Sequence, residues 1–119
     1  MRARVVAEAA SWIGTPYHSH ARLKGVGVDC AMLVAEVFEA CGVIPHVDPG
    51  YYSPEWHLHR SEEKLLGWLR RLGTELPDDH VPRAGDIAAF RTGRAFGHTA
   101  IVTTWPNGIH ACRADGGVD

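Results

Sequence analysis

The sequence predicts one α+β domain, with N-terminal helices packed on an antiparallel sheet. Three observations carry this. Apolar residues recur at helical spacing through the first part of the chain, the spacing changes to period two from residue 81 onward, and 119 residues suit one domain. No internal repeat, low-complexity tract or linker interrupts the chain, so residues 1–119 read as a single unit.

Val5, Val6, Ala9, Trp12 and Ile13 share a helical face over residues 4–13, and Gly14-Thr15-Pro16 ends it. Residues 14–28 carry Gly14, Pro16, Gly25 and Gly27 among His18, His20, Arg22 and Lys24, and read as a long loop, of a length that is either functional or disordered. Asp29 then caps a second helix, with Leu33, Val34, Val37 and Phe38 inward and Gly42 at the C′ position. After Pro45 and Pro49, Ser53-Pro54-Glu55 reads as a helix start, and Trp56, Leu65, Leu66, Trp68, Leu69 and Leu72 keep helical period to Gly73; Ser61 is an equal alternative start. Gly85-Asp86 is a turn feeding a strand at Ile87–Arg91. A second strand follows at His98–Thr104, then a turn at Trp105-Pro106-Asn107-Gly108 and a third strand at Ile109–Arg113.

Composition excludes several classes. Twelve Lys and Arg against fourteen Asp and Glu give −2, which leaves no basic surplus for a phosphate backbone and argues against nucleic-acid binding. Apolar runs are a handful of residues, too short for membrane insertion. Met1-Arg2-Ala3-Arg4 is followed by Glu8 within the next turn and no long apolar h-region appears, so no Sec signal peptide is expected from this start. Three cysteines are too few and uneven for a disulfide scaffold.

Cys30 is the first chemical candidate. At the first position of a helix, free backbone amides and the helix dipole favour a thiolate and lower its pKa; Asp29 beside it is a partial counterweight, with its carboxylate spent on capping. The alternative is a small buried hydrophobe. A thiol nucleophile needs a base, and the base an orienter. His98 opens a strand after Phe96-Gly97, and His110 lies twelve residues on, in the neighbouring strand, where the two rings could pair. Each also reads as an ordinary hairpin histidine.

Asp29-Cys30-Ala31-Met32-Leu33-Val34, Pro82-Arg83-Ala84-Gly85-Asp86-Ile87, Gly97-His98-Thr99-Ala100-Ile101-Val102 and Ile109-His110-Ala111, in that order, resemble the NlpC/p60 cysteine peptidases. Trp12-Ile13-Gly14-Thr15-Pro16-Tyr17, Lys24-Gly25-Val26-Gly27 and Tyr52-Ser53-Pro54-Glu55-Trp56 are similar to the phage-tail and gene-transfer-agent branch. The likeness runs nearly end to end. It implies a papain-like α+β fold and a cofactor-free, metal-free endopeptidase that cuts peptidoglycan stem peptides. By position Cys30 is the nucleophile, His98 the base and His110 the orienting third residue. Tyr17 matches a tyrosine beside the nucleophile that helps hold the oxyanion, or packs the loop against the helix. Tyr17, Asp29, His18 and His20 form the expected substrate-binding set. Lacking a leader, such an enzyme would be made in the cytoplasm and carried by phage-tail proteins to the periplasmic wall.

Three departures matter. The family's Ser-Gly after the nucleophile is Ala31-Met32 here, and the chain stops at Gly116-Gly117-Val118-Asp119, where the family continues with further strands. The third is geometric. A tight turn at 106–108 would set His110 opposite Thr104, roughly 20 Å along the strand from His98. A wider loop over 103–107 sets it opposite Ala100, within reach of His98. The triad thus requires the wide loop.

Other histidines support a competing zinc-dependent amidase, with His18-x-His20 and His57-x-His59 as ligand pairs and His46 and His80 as further candidates. On a helix, His57 and His59 would point about 200° apart and could not share an ion. A third reading is a catalytically inactive tail-structural module. Cys41 reads as core, Cys112 shares a face with His110 without a role, and Arg22 and Lys24 either pair with a substrate carboxylate or are merely solvated.

Overall fold

The computed structural model describes residues 1–47, 69–71, 73–77, 79–92 and 95–119. The expected helix at 54–72, with His57 and His59, lies outside them except for residues 69–71, which are helical.

Helix α1 (Arg2–Ala10) buries Val5 and Ala9. It ends three residues before the periodicity suggested, because Trp12, Ile13 and Thr15 donate to carbonyls three residues back. That tighter winding turns the chain further per residue, so Trp12 stays inside while Ile13 points out, 56% exposed.

Residues 14–28 are not the open loop expected. β1 (Arg22–Leu23) and β2 (Gly27–Val28) form a small hairpin. The stretch at 14–18 is clamped on both sides. His18 N–H donates to Val28 O and Val28 N–H to Pro16 O, at 3.0 Å each, while Tyr17 N–H reaches Gly116 O at 2.9 Å. Small residues permit this: a Cβ on Gly27 would lie 2.9 Å from His18 Cβ, and one on Gly117 would strike the Thr15 carbonyl.

Helix α2 (Cys30–Ala40) starts where Asp29 was expected to cap it, its carboxylate accepting from Met32 N–H. It ends at Gly42, whose φ of +72° suits glycine. Gly42 N–H donates to Glu39 O and Val43 N–H to Phe38 O, the paired bonds of a Schellman terminus. Leu33 and Val37 are buried; Val34 and Phe38 are half-buried against the same core, and Cys41 lies in that core as expected.

A three-stranded antiparallel sheet follows, order β3-β4-β5, from β3 (Ile87–Thr92), β4 (Ala95–Val102) and β5 (Gly108–Ile109). β4 begins three residues before the expected strand and stops at Val102. Phe90 pairs with His98 but Arg91 with Phe96, so β4 carries one extra residue, Gly97, at a bulge. The expected third strand is split at His110. β6 (Ala111–Cys112) leaves β4 and pairs with β7 (Gly117–Val118), which in turn bonds to Thr15 and Pro16. The core joins α1, α2, β4 and β7 through Val5, Leu33, Val37, Ile101 and Val118, with Trp12 from the turn after α1. Mixed helix and antiparallel sheet is the α+β class expected. Among the described residues no helix is long and apolar enough to cross a membrane.

Candidate active site

Cys30 occupies the first turn of α2, held from two sides. Below it, the Asp29 carboxylate is divided: Oδ1 accepts from Met32 N–H at 2.9 Å and Oδ2 from His20 N–H at 2.8 Å. One carboxylate thereby fixes both the helix start and the loop before it, including His20 in a left-handed conformation at φ +66°. Opposite, Thr99 of β4 donates its hydroxyl to the Cys30 carbonyl at 3.1 Å. Since Thr99 follows His98 directly, this bond registers the helix start against His98.

The thiol is 3% exposed, and burial, reinforced by the Asp29 charge, pushes its pKa up to about 12. Hydrogen bonds from Thr99 and Ala31 pull the other way without prevailing. This corrects the expectation of a helix-activated thiolate: desolvation outweighs the helix terminus, and the resting group is a thiol.

His98 follows the Gly97 bulge, half-buried beside the Phe90 ring. Its Nε2 lies 2.7 Å from His110 Nδ1, with the rings edge-to-face. Burial, then the neighbouring His110, lower the His98 pKa from 6.5, opposed by Asp115. It therefore stands neutral near pH 7, able to accept a proton.

His110 reaches it by the wide loop. Ile101 pairs with Ile109 and Val102 with Gly108, leaving residues 103–107 as the connection. Beyond that ladder His110 exchanges both backbone bonds with Asp119, each at 3.1 Å. On its far side, His110 Nε2 lies 2.9 Å from Asp119 Oδ1 and 3.4 Å from Asp115 Oδ2.

Tyr17 is half-buried. Desolvation first, then the nearness of Cys30 and Asp29, raise its phenol well above the usual range, so it stays a donor. The Arg113 guanidinium lies 5.4 Å over its ring. Of the other expected substrate contacts, His18 is exposed and His20 contributes its backbone amide to Asp29, its ring meeting Ser19 Oγ at 3.2 Å. Asp29, 2% exposed, is scaffold by position. Arg22 and Lys24 are engaged by Glu36 and Glu8, at 2.8 Å each.

Of the histidines behind the zinc reading, His57 and His59 lie outside the described residues, while His46 meets Glu39 at 2.7 Å and His80 meets Asp86 at 3.6 Å. Among the described residues, the one group of donors close enough to share an ion is His110, Cys112 and Asp115, within 4.8 Å of one another. There the His110 nitrogen already faces Asp119. Thr99, Asp115 and Asp119 were absent from the sequence-derived site. Thr99 acts across a contact 69 residues long in sequence, and Asp115 and Asp119 reach His110 through the β6–β7 hairpin, which no local pattern marks.

Among solved structures, the chain is similar to the NlpC/p60 domain of the peptidoglycan hydrolase SagA, with a TM-score of 0.68 at 24% identity, covering 100% of this chain and 86% of that one. The fold is thus the papain-like one. No curated protein matches the sequence. Residues 19–113 match the CHAP domain, a span that holds Cys30, His98 and His110. The chain belongs to the CHAP domain family and is a hydrolase of the cysteine peptidase or amidase kind.

Proposed function

We propose that this chain is a peptidoglycan hydrolase that cuts stem peptides, with Cys30 as nucleophile, His98 as general base and His110 as orienter. The observation that carries the reading is the 2.7 Å contact between His98 and His110, on a strand whose next residue, Thr99, hydrogen-bonds the carbonyl of Cys30 at its helix start. The SagA domain, itself part of a peptidoglycan hydrolase, supports the substrate class.

Because the resting pair is thiol and neutral imidazole, the proton moves as the bond forms. His98 takes it from Cys30 while sulfur attacks the peptide carbonyl. The oxyanion meets the Cys30 amide and the Tyr17 hydroxyl. His98 then protonates the leaving amine, and water, deprotonated by the same ring, releases the acyl group as acid and restores the thiol.

Digestion of stem-peptide fragments, followed by mass spectrometry, tests this. Wild type should cleave, Cys30→Ala should not, and EDTA should change nothing. Turnover surviving in Cys30→Ala, or lost with EDTA, would overturn the reading in favour of the metal-dependent alternative.

Carriage by a phage or phage-like tail is the proposed route to the wall. Its support is the likeness of residues 12–17, 24–27 and 52–56 to that branch. Immunodetection in purified tail particles tests it; particles free of the protein would refute it.

A further inference from the structure

We infer that Asp119, seconded by Asp115, is a positioning residue that sets which nitrogen of His98 carries its proton, and so whether the nitrogen turned away from His110 is free to accept one. The inference rests on His98 being the base, and follows from counting protons along one row of atoms.

His98 Nε2 and His110 Nδ1 are 2.7 Å apart, so one proton lies between them. If it sits on His98 Nε2, the neutral His98 ring has a free lone pair on Nδ1 and can accept the thiol proton there. If it sits on His110 Nδ1, neutral His98 carries its proton on Nδ1 and cannot act as base. The choice passes to the far edge of His110. A proton on His98 Nε2 requires His110 Nδ1 to be an acceptor, which places the proton of a neutral His110 on Nε2. Two carboxylate oxygens face that atom, Asp119 Oδ1 at 2.9 Å and Asp115 Oδ2 at 3.4 Å. Ionised carboxylates only accept, so they stabilise the Nε2–H form of His110 and, through it, the base-competent form of His98.

The fold brings the acids there. The turn between β6 and β7 carries Asp115, and backbone bonds between His110 and Asp119 hold the last residue beside the ring. No atom of either acid need touch the substrate.

Nitrogen-15 NMR of histidine-labelled protein reads the tautomers directly, and turnover is measured alongside. In wild type both rings should carry their proton on Nε2. In Asp115→Ala/Asp119→Ala, His110 and His98 should shift toward the Nδ1–H form, and kcat should fall about tenfold or more with KM within about twofold. Asp119→Glu, with Asp115 intact, should retain the wild-type tautomers. Unchanged tautomers in the double variant would overturn the inference, whether kcat holds or falls. If wild type cleaves no stem peptide while the tautomers follow the carboxylates, the proposed function fails and the positioning stands.

Discussion

Around Cys30, the neighbours are buried and their polar groups are spoken for: Asp29 caps the helix, Thr99 bonds the Cys30 carbonyl, and the thiol is desolvated. Around His110, twelve residues beyond His98, two carboxylates stand at the surface and meet one ring nitrogen. The first region holds a proton on sulfur by withholding water; the second directs protons along a row by offering acceptors. In the proposed reaction a buried nucleophile gains position but no resting charge, so its reactivity depends on the neutral, correctly oriented imidazole supplied from the wetter side.

Breaking the wetter side at the base should have the largest effect. His98→Ala should lower kcat by about 10²–10⁴, the range of a positioned general base. In wild type, kcat/KM should fall on the acid side as His98 gains a proton. Its lowered pKa places that limb below pH 6.5, so activity persists into mildly acidic solution. A limb centred above 6.5 would contradict the buried, neutral His98.

The drier side is sharpened by Asp29→Asn, which keeps a capping oxygen but removes the charge. Removing a neighbouring anion favours thiolate, so alkylation of Cys30 should titrate at lower pH in this variant than in wild type, where burial and then Asp29 push the thiol up. Equal titration in both proteins would leave burial as the whole cause.

The smallest effect is expected from Thr99→Val, which deletes the hydroxyl bonded to Cys30 O without changing volume much. Loss of about 1 kcal/mol in urea unfolding is expected, with a modest fall in kcat as the helix start drifts from His98.

Much of the dry side was legible in the sequence. A capping Asp, an apolar period of 3.6 and a glycine at C′ are local signals, and the structure reproduces α2 from Asp29 to Gly42. The wet side was legible only conditionally. The sequence posed two hairpins and stated which one brings His110 to His98; the register Ile101–Ile109 is the wide one. Locally, Pro106-Asn107-Gly108 fits a tight turn just as well. The bulge at Gly97 shows the same limit, since a glycine within a strand pattern marks either a bulge or a close approach.

By itself, the sequence determined the α+β class, the helix that begins at Cys30, and the order of the cysteine and two histidines, because hydrophobic period and capping chemistry act within a few residues. Tertiary structure alone decided that the thiol rests protonated, that residues 14–18 are clamped between β2 and β7, and that Asp119 stands against His110. Those outcomes depend on desolvation and on contacts between separate elements, and neither quantity exists until the chain has closed on itself.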